Sequence, residues 1–240
     1  SRCREIRCIS EACRLSLKAL FGQTVYDKAS LHYPYIPQKV SSVDSVIPES
    51  CRFLFVGTQF EIKGRGALLK TFQRVHEQVP SARLDVITHL PAKYIDLSES
   101  CAGIHVHEAR FTRDEIHTQF MSKADVVVLP TYAESFPMVA REGLSYGLAL
   151  IATDVYGLRE MVEDGRNGYL IKPPISIWDD IMPSRYFHDL KHIKEHIEKM
   201  DTTVFEENLE RAIYEFSINP KFRLSARQES VKIVTERFTC

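Results

Sequence analysis

Between Cys51 and Lys172 short runs of continuous apolar residues alternate with amphipathic stretches, and this pattern restricts the chain to very few architectures. Phe53–Val56, Leu84–Ile87, Ala124–Leu129, Leu150–Ala152 and Tyr169–Ile171 have the content of strands, with a shorter alternating strand at Ile104–His107. Helical spacing fills the gaps. Ala67-Leu68-Leu69, Phe72 and Val75 lead up to Pro80; Thr112-Arg-Asp-Glu115 has the form of a capping box; Met138–Tyr146 is closed by Gly147 at the position after its cap. Strands that are apolar throughout need cover on both faces, which a parallel sheet with crossover helices supplies. The expected fold class is therefore α/β, a doubly wound parallel sheet. Ligands in such folds bind beyond the carboxyl ends of the strands, so the informative loops follow Val56, Ile87, His107, Leu129 and Ala152.

The ends of the chain differ. Glu11–Leu20 reads as a helix stopped at Phe21-Gly22, and Leu31–Val46, with Tyr33-Pro-Tyr-Ile-Pro37, as an extended linker. Beyond Pro174 the strand signals stop; Leu190, Ile193, Ile197 and Met200 form one helical stripe, and Phe205–Phe216 and Leu224–Phe238 are further helices. Three segments follow: 1–46, 47–174 and 175–240. Thirty-one basic against thirty-two acidic residues leave a net charge of −1, with no electrostatic footprint for nucleic acid. The apolar runs are far shorter than the 18 or more residues of a transmembrane segment, and no leader is expected; a cytoplasmic location, with at most peripheral membrane contact, is the expectation. Cys3, Cys8 and Cys13 match no zinc or redox spacing and read as reduced thiols.

Two stretches carry chemistry. The first is Leu129-Pro-Thr-Tyr-Ala-Glu-Ser-Phe-Pro-Met-Val-Ala-Arg-Glu-Gly143. It puts Glu134 in the exit loop of a buried strand and Glu142 eight residues on, about one turn inside the next helix. Pro137 suits the first helical turn, and the amides of Met138 and Val139 point out of the helix start, where an anion such as a diphosphate is favoured. Acidic residues beside a helix start also serve as caps and dipole partners, and this stretch alone does not separate the two readings. The second is Val56-Gly-Thr-Gln-Phe-Glu-Ile-Lys-Gly-Arg-Gly66, a strand end with glycines and a lysine before a helix. It is neither a P-loop nor a dinucleotide fingerprint, since Leu69 stands where the third glycine belongs, which disfavours a nicotinamide-dependent oxidoreductase.

The run from Glu134-Ser-Phe-Pro-Met to Val-Glu-Asp-Gly-Arg-Asn-Gly168, with the Val-Gly…Lys-Gly loop upstream, resembles the family 4 retaining glycosyltransferases, nucleotide-sugar-dependent enzymes of the GT-B fold. Four motifs stand in order over roughly Phe53–Pro173. The resemblance implies that 47–174 is the Rossmann-like C-terminal, nucleotide-sugar-binding domain of such an enzyme, with extra helices at both ends. Segment 1–46 would be the end of an N-terminal acceptor domain plus the interdomain linker. It implies a hexose moved from a nucleotide-diphospho-sugar to an acceptor hydroxyl on a glycan, lipid or small molecule, as in polysaccharide biosynthesis, with no metal and no cofactor. Lys63 would neutralise the diphosphate and Glu134 would lie against the donor sugar. Gly57, Thr58 and the backbone at Phe136, Pro137, Met138 and Val139 would hold sugar and phosphate. Glu142 would take the ribose hydroxyls, and Arg110 would border the base.

The chain also departs from that family. An arginine usually stands after the first glycine or just before the loop lysine; here those positions are Thr58 and Ile62, so only Lys63 remains unless Arg65 substitutes. Ala149 replaces a common proline, and the resemblance implies that most of an acceptor domain lies outside the sequence. The missing arginine motivates an alternative, a catalytically degenerate sugar-nucleotide-binding or interaction module. Among weaker signals, His188, His192 and His196 read as a solvated helix face, His105 and His107 as strand packing, and Trp178 as an anchor.

Overall fold

The computed structural model describes residues 3–46, 48–59, 61–175, 177–179, 181–183 and 190–239. In chain order the elements are β1 (Ile6–Cys8), α1 (Glu11–Phe21), α2 (Gln23–Tyr26), β2 (Ala29–Leu31), β3 (Arg52–Val56), α3 (Arg65–Gln78), β4 (Arg83–Thr88), α4 (Ile95–Glu99), β5 (Ile104–Glu108) and α5 (Arg113–Glu115). After these come β6 (Val126–Leu129), α6 (Met138–Ser145), β7 (Ala149–Thr153), β8 (Gly168–Ile171), the short strands β9 (Trp178–Asp179) and β10 (Met182–Pro183), α7 (Leu190–Ile197), α8 (Thr203–Ile218) and α9 (Pro220–Arg237).

Six strands form one parallel sheet in the order β5-β4-β3-β6-β7-β8. The α/β expectation holds, and each apolar run read from the sequence is a strand of this sheet. Alternate residues face opposite layers. Phe53, Phe55, Val126 and Val128 pack under α3 and α8. Leu54, Val127 and Leu150 pack under α6 and α9. The helices beyond residue 200 thus finish the cover on both faces. Arg227 of α9 is tied there through Nη1 to Asp125 Oδ1 at 2.7 Å and through Nε to the Gly147 carbonyl at 3.0 Å.

Strand numbering reverses direction between β3 and β6. One half of the sheet winds outward through β4 and β5, the other through β7 and β8. Their connections leave on opposite sides, so a crevice opens beyond the carboxyl ends of β3 and β6, the place where doubly wound folds hold ligands.

Local chemistry sets the helix ends. The Thr112 hydroxyl accepts from Glu115 N while the Glu115 carboxylate accepts from Thr112 N at 2.8 Å, so the capping box is present. The helix that follows is wound as a π-helix from Ile116 to Met121, which the sequence pattern did not distinguish from an α-helix. Helix α6 ends in a Schellman motif: Gly147 N donates to Leu144 O at 2.9 Å and Leu148 N to Gly143 O at 3.0 Å, with Gly147 at φ +62°.

Residues 3–46 hold two features absent from the sequence reading, the strands β1 and β2, which pair in parallel. One of the ties between this segment and the rest of the chain is a carboxylate. Glu160 ends a 3-10 turn (Tyr156–Glu160) after β7; its oxygens accept from the amides of Glu11 at 2.8 Å and Ala12 at 3.0 Å, the first turn of α1. The Tyr33 hydroxyl donates to the same carboxylate at 2.7 Å. Beyond β8 the structure differs from the expectation that strands stop, because β9 and β10 pair antiparallel. His188 lies outside the described residues, as does the side chain of Trp178.

Gly168 begins β8 so close to β7 that a Cβ placed on it would lie 1.7 Å from the Leu150 carbonyl oxygen. Gly168→Ala is expected to separate the two strands and to cost at least about 2 kcal/mol, read as a lower urea midpoint with unchanged m-value.

Candidate functional site

The crevice at the strand reversal is shaped by two loops locked together. After β3 the chain turns through Glu61–Gly64, with Gly64 N donating to Glu61 O at 3.0 Å. The Ile62 carbonyl accepts from Tyr132 N at 2.8 Å, and Thr131 Oγ1 reaches it at 3.4 Å, which pins the turn to the exit of β6. Gly64 adopts φ +64°, and a Cβ there would lie 2.0 Å from the Pro130 carbonyl oxygen; both demand glycine at this crossing. The consequence is that Lys63 and Glu134, 71 residues apart, form an ion pair through Lys63 Nζ and Glu134 Oε2. Their side chains remain 22% and 19% exposed, enough for a ligand to reach both. Glu134 Oε1 also accepts from Ser135 N at 3.0 Å.

Helix α6 starts directly behind this pair. Its cap is Pro137, with extended ψ of 127°, and the helix starts at Met138, as the sequence reading had it. No side chain caps the helix, and the amides of its first turn, Met138 and Val139 among them, are left for an anion. The Phe136 ring is turned away from the crevice: 6% exposed, it stacks on Tyr33 with centroids 5.9 Å apart and lies under the Arg141 guanidinium at 5.2 Å. The Phe136 side chain is therefore taken up by packing, and only its backbone is available to a ligand. Arg141 in turn donates through Nη1 to the Pro34 carbonyl at 2.6 Å, so the linker is seated against this loop.

Glu142 stands one turn into α6, 7% exposed. It is ion-paired with Arg113 Nη2 and lies 3.6 Å from His117 Nε2. Arg113 and His117 come from the capping-box helix after β5, which brings that loop to the carboxylate. Neither residue was singled out by the sequence. The capping box masked Arg113 as an ordinary first-turn residue, and the π winding that presents His117 has no pattern in the chain. Arg110, expected at the base, is exposed; its amide donates to Glu108 O at 2.8 Å, and the basic side chain joined to Glu142 is Arg113 instead. Gly57 lies at the end of β3 with Thr58 exposed beside it.

No second cation stands beside Lys63 at the positions the resemblance suggested. Ile62 is 3% exposed and packs in the core with Phe55 and Leu68. Arg65 is fully buried, donates through Nη1 to the Gly57 carbonyl at 3.0 Å and lies against the Phe55 ring at 5.0 Å. Burial pulls its guanidinium down to about 9, so it stays charged at neutral pH while supporting the loop from beneath. Among the described residues no group of three His, Cys, Asp or Glu side chains is placed to hold a metal ion, and no helix is long and apolar enough to cross a membrane. His105 is exposed, whereas His107 packs edge-on to Phe120 with Nε2 2.7 Å from Asp85 Oδ1.

The model of the family described as "Glycosyl transferases group 1" matches residues 50–181, more than half of the 240. The chain belongs to that family. Among its relatives is a D-inositol 3-phosphate glycosyltransferase of Paenarthrobacter aurescens, 31% identical over 162 residues, which are 64% of this chain and 40% of the relative. The chain thus spans about two fifths or less of the curated relatives it matches. The C-terminal domain of a group 1 glycosyl transferase, LpcC of Francisella tularensis, superimposes with TM-score 0.59 at 18% identity, covering 86% of this chain and 95% of that one. Anabaena HepE in complex with UDP and glucose superimposes with TM-score 0.67 at 14% identity over 98% of this chain and 59% of HepE. At these identities the structures establish the fold, the Rossmann-like domain of GT-B glycosyltransferases.

Restoring an arginine by Ile62→Arg is expected to destabilise the protein by about 3 kcal/mol or more, because the guanidinium enters the core without a partner. Urea unfolding of the variant beside the parent measures this.

Proposed function

We propose that this chain is the donor-binding part of a retaining glycosyltransferase that transfers a hexose from a nucleoside-diphosphate sugar to an acceptor hydroxyl. The observation that carries the reading is the meeting of Lys63, Glu134 and the uncapped start of α6 at the strand reversal, with Glu142 one turn further in. Residues 47–174 hold the donor, 1–46 end an acceptor domain and continue as the linker, and 175–240 supply covering helices.

In this reading the nucleotide lies across the crevice. Glu142 accepts from the ribose hydroxyls, and the ligand takes over the place of Arg113 on that carboxylate. Gly57 and Thr58 border the phosphates. Lys63 and the amides of Met138 and Val139 face the diphosphate, so its growing negative charge meets a fixed cation and a helix start as the bond between the anomeric carbon and the phosphate oxygen breaks. The electron pair leaves with the diphosphate. The acceptor oxygen forms the new bond on the same face of the sugar, and its proton passes to the departing phosphate. Glu134, released from Lys63 when the anion enters, accepts from sugar hydroxyls and opposes the positive charge that builds on the ring. The counter-charge in this scheme is supplied by the chain itself, without a metal. UDP in the HepE complex supports a uridine nucleotide as the first donor to try.

Titration with UDP, and with GDP and ADP in parallel, tests the reading. At least one is expected to bind. Lys63→Ala should weaken that binding about tenfold or more, the loss of one charge-assisted contact, and Glu142→Ala should weaken it through the ribose. In the full-length enzyme Glu134→Ala should abolish transfer while sparing nucleotide binding. No binding of any of the three at millimolar concentration, or full transfer by Glu134→Ala, overturns the proposal.

A further inference from the structure

A second cavity, about 340 Å3, lies on the α3 side of the Lys63 turn. Its walls are the first turn of α3 at Gly64, Gly66 and Ala67, the Tyr94 ring after β4, Tyr132 after β6, and the approach to α8 from Ile197 to Glu206. Lys63, Glu134, Phe136 and Glu142 do not line it, so it is separate from the donor crevice.

Tyr132 is the residue that points to a ligand. It is 3% exposed, and its hydroxyl has no hydrogen-bond partner among the described residues. The hydroxyl is not among the buried unsatisfied groups, so it opens onto the cavity and is free to donate to what occupies it. The ring's hydroxyl end faces the cavity wall at Gly64: the carbon bearing the hydroxyl would be 3.4 Å from a Cβ on that glycine. Burial, and then the neighbouring Glu206 carboxylate, hold this phenol above its ordinary value, so it carries a proton to donate.

The remaining lining selects the ligand's chemistry. Lys70 and Lys93 provide donors, and Glu61, Glu198 and Glu206 provide acceptors. Glu206 is already balanced by Arg74 Nη1 at 3.4 Å and Lys70 Nζ at 3.9 Å. Two cations against three carboxylates leave no positive surplus for a phosphate, and the lysines disfavour a cation. Besides the charged groups the lining includes Tyr94, Tyr132, Ile197 and Met200. Interleaved donors and acceptors among aromatic and apolar residues suit a ring that carries many hydroxyls and no charge, and the volume sits at the small end of ligand pockets. We propose that this cavity is a binding site for a neutral sugar ring of hexose size, outside the donor crevice.

Saturation-transfer NMR with D-glucose, D-galactose and D-mannose on the 240-residue chain, with UDP present, tests this. At least one sugar is expected to bind saturably. Tyr132→Phe, which removes one oxygen and keeps the shape, should weaken that binding roughly three- to tenfold, and Glu206→Gln should weaken it as well. Both variants should retain the wild-type amide spectrum elsewhere, and Glu134→Ala should leave the sugar affinity unchanged. Three outcomes overturn the proposal: no saturable binding of any of the three sugars, binding that both cavity variants leave intact, or binding that Glu134→Ala removes, which would place the sugar in the donor crevice. Competition by inorganic phosphate at equal concentration would overturn the neutral class.

Discussion

The seam between the exits of β3 and β6 governs the rest of the structure. The carbonyl of Ile62 holds the amide of Tyr132, and Gly64 is pressed onto Pro130 with no room for a side chain. Because the two strands are neighbours at the point where the sheet reverses its winding, their loops must pass each other, and this contact decides how. Lys63 is delivered to Glu134 as a geometric result of that crossing. A turn of different shape would leave the same two residues in the sequence and no site.

The charge balance of the crevice follows from the same seam. The turn that projects Lys63 outward buries Ile62 on one side of it and Arg65 on the other, so a single lysine and the amides of α6 carry the positive end of the site. Arg65 contributes from below, holding the Gly57 carbonyl. The acidic members are each paired, Glu134 with Lys63 and Glu142 with Arg113, so in the proposed reading an entering anion or ribose exchanges one set of partners for another.

The sheet and the principal acids were legible in the chain because their signals are local. Continuous apolar runs marked five strands of the six and alternation marked β5, while eight-residue spacing put Glu134 before α6 and Glu142 inside it. What stayed hidden was non-local or geometric. β1 and β2 are three residues each and exist through their pairing with one another. The π winding at Ile116–Met121 has the same apolar content as an α-helix, so nothing in the letters showed that His117 would face Glu142. Arg65 looked like a spare cation, and only packing reveals that its side chain runs beneath the loop.

Glu160 receives the amides that open α1 and the hydroxyl of Tyr33, while Tyr33 in turn stacks on the residue that shapes the crevice, Phe136. The amino-terminal segment and the loop before α6 are therefore joined through this carboxylate as well as through the contact of Arg141 with Pro34. A displacement of α1 would reach Phe136 through Glu160 and the single ring contact of Tyr33, with the Arg141 bond to Pro34 carrying it in parallel and no need for the sheet to deform.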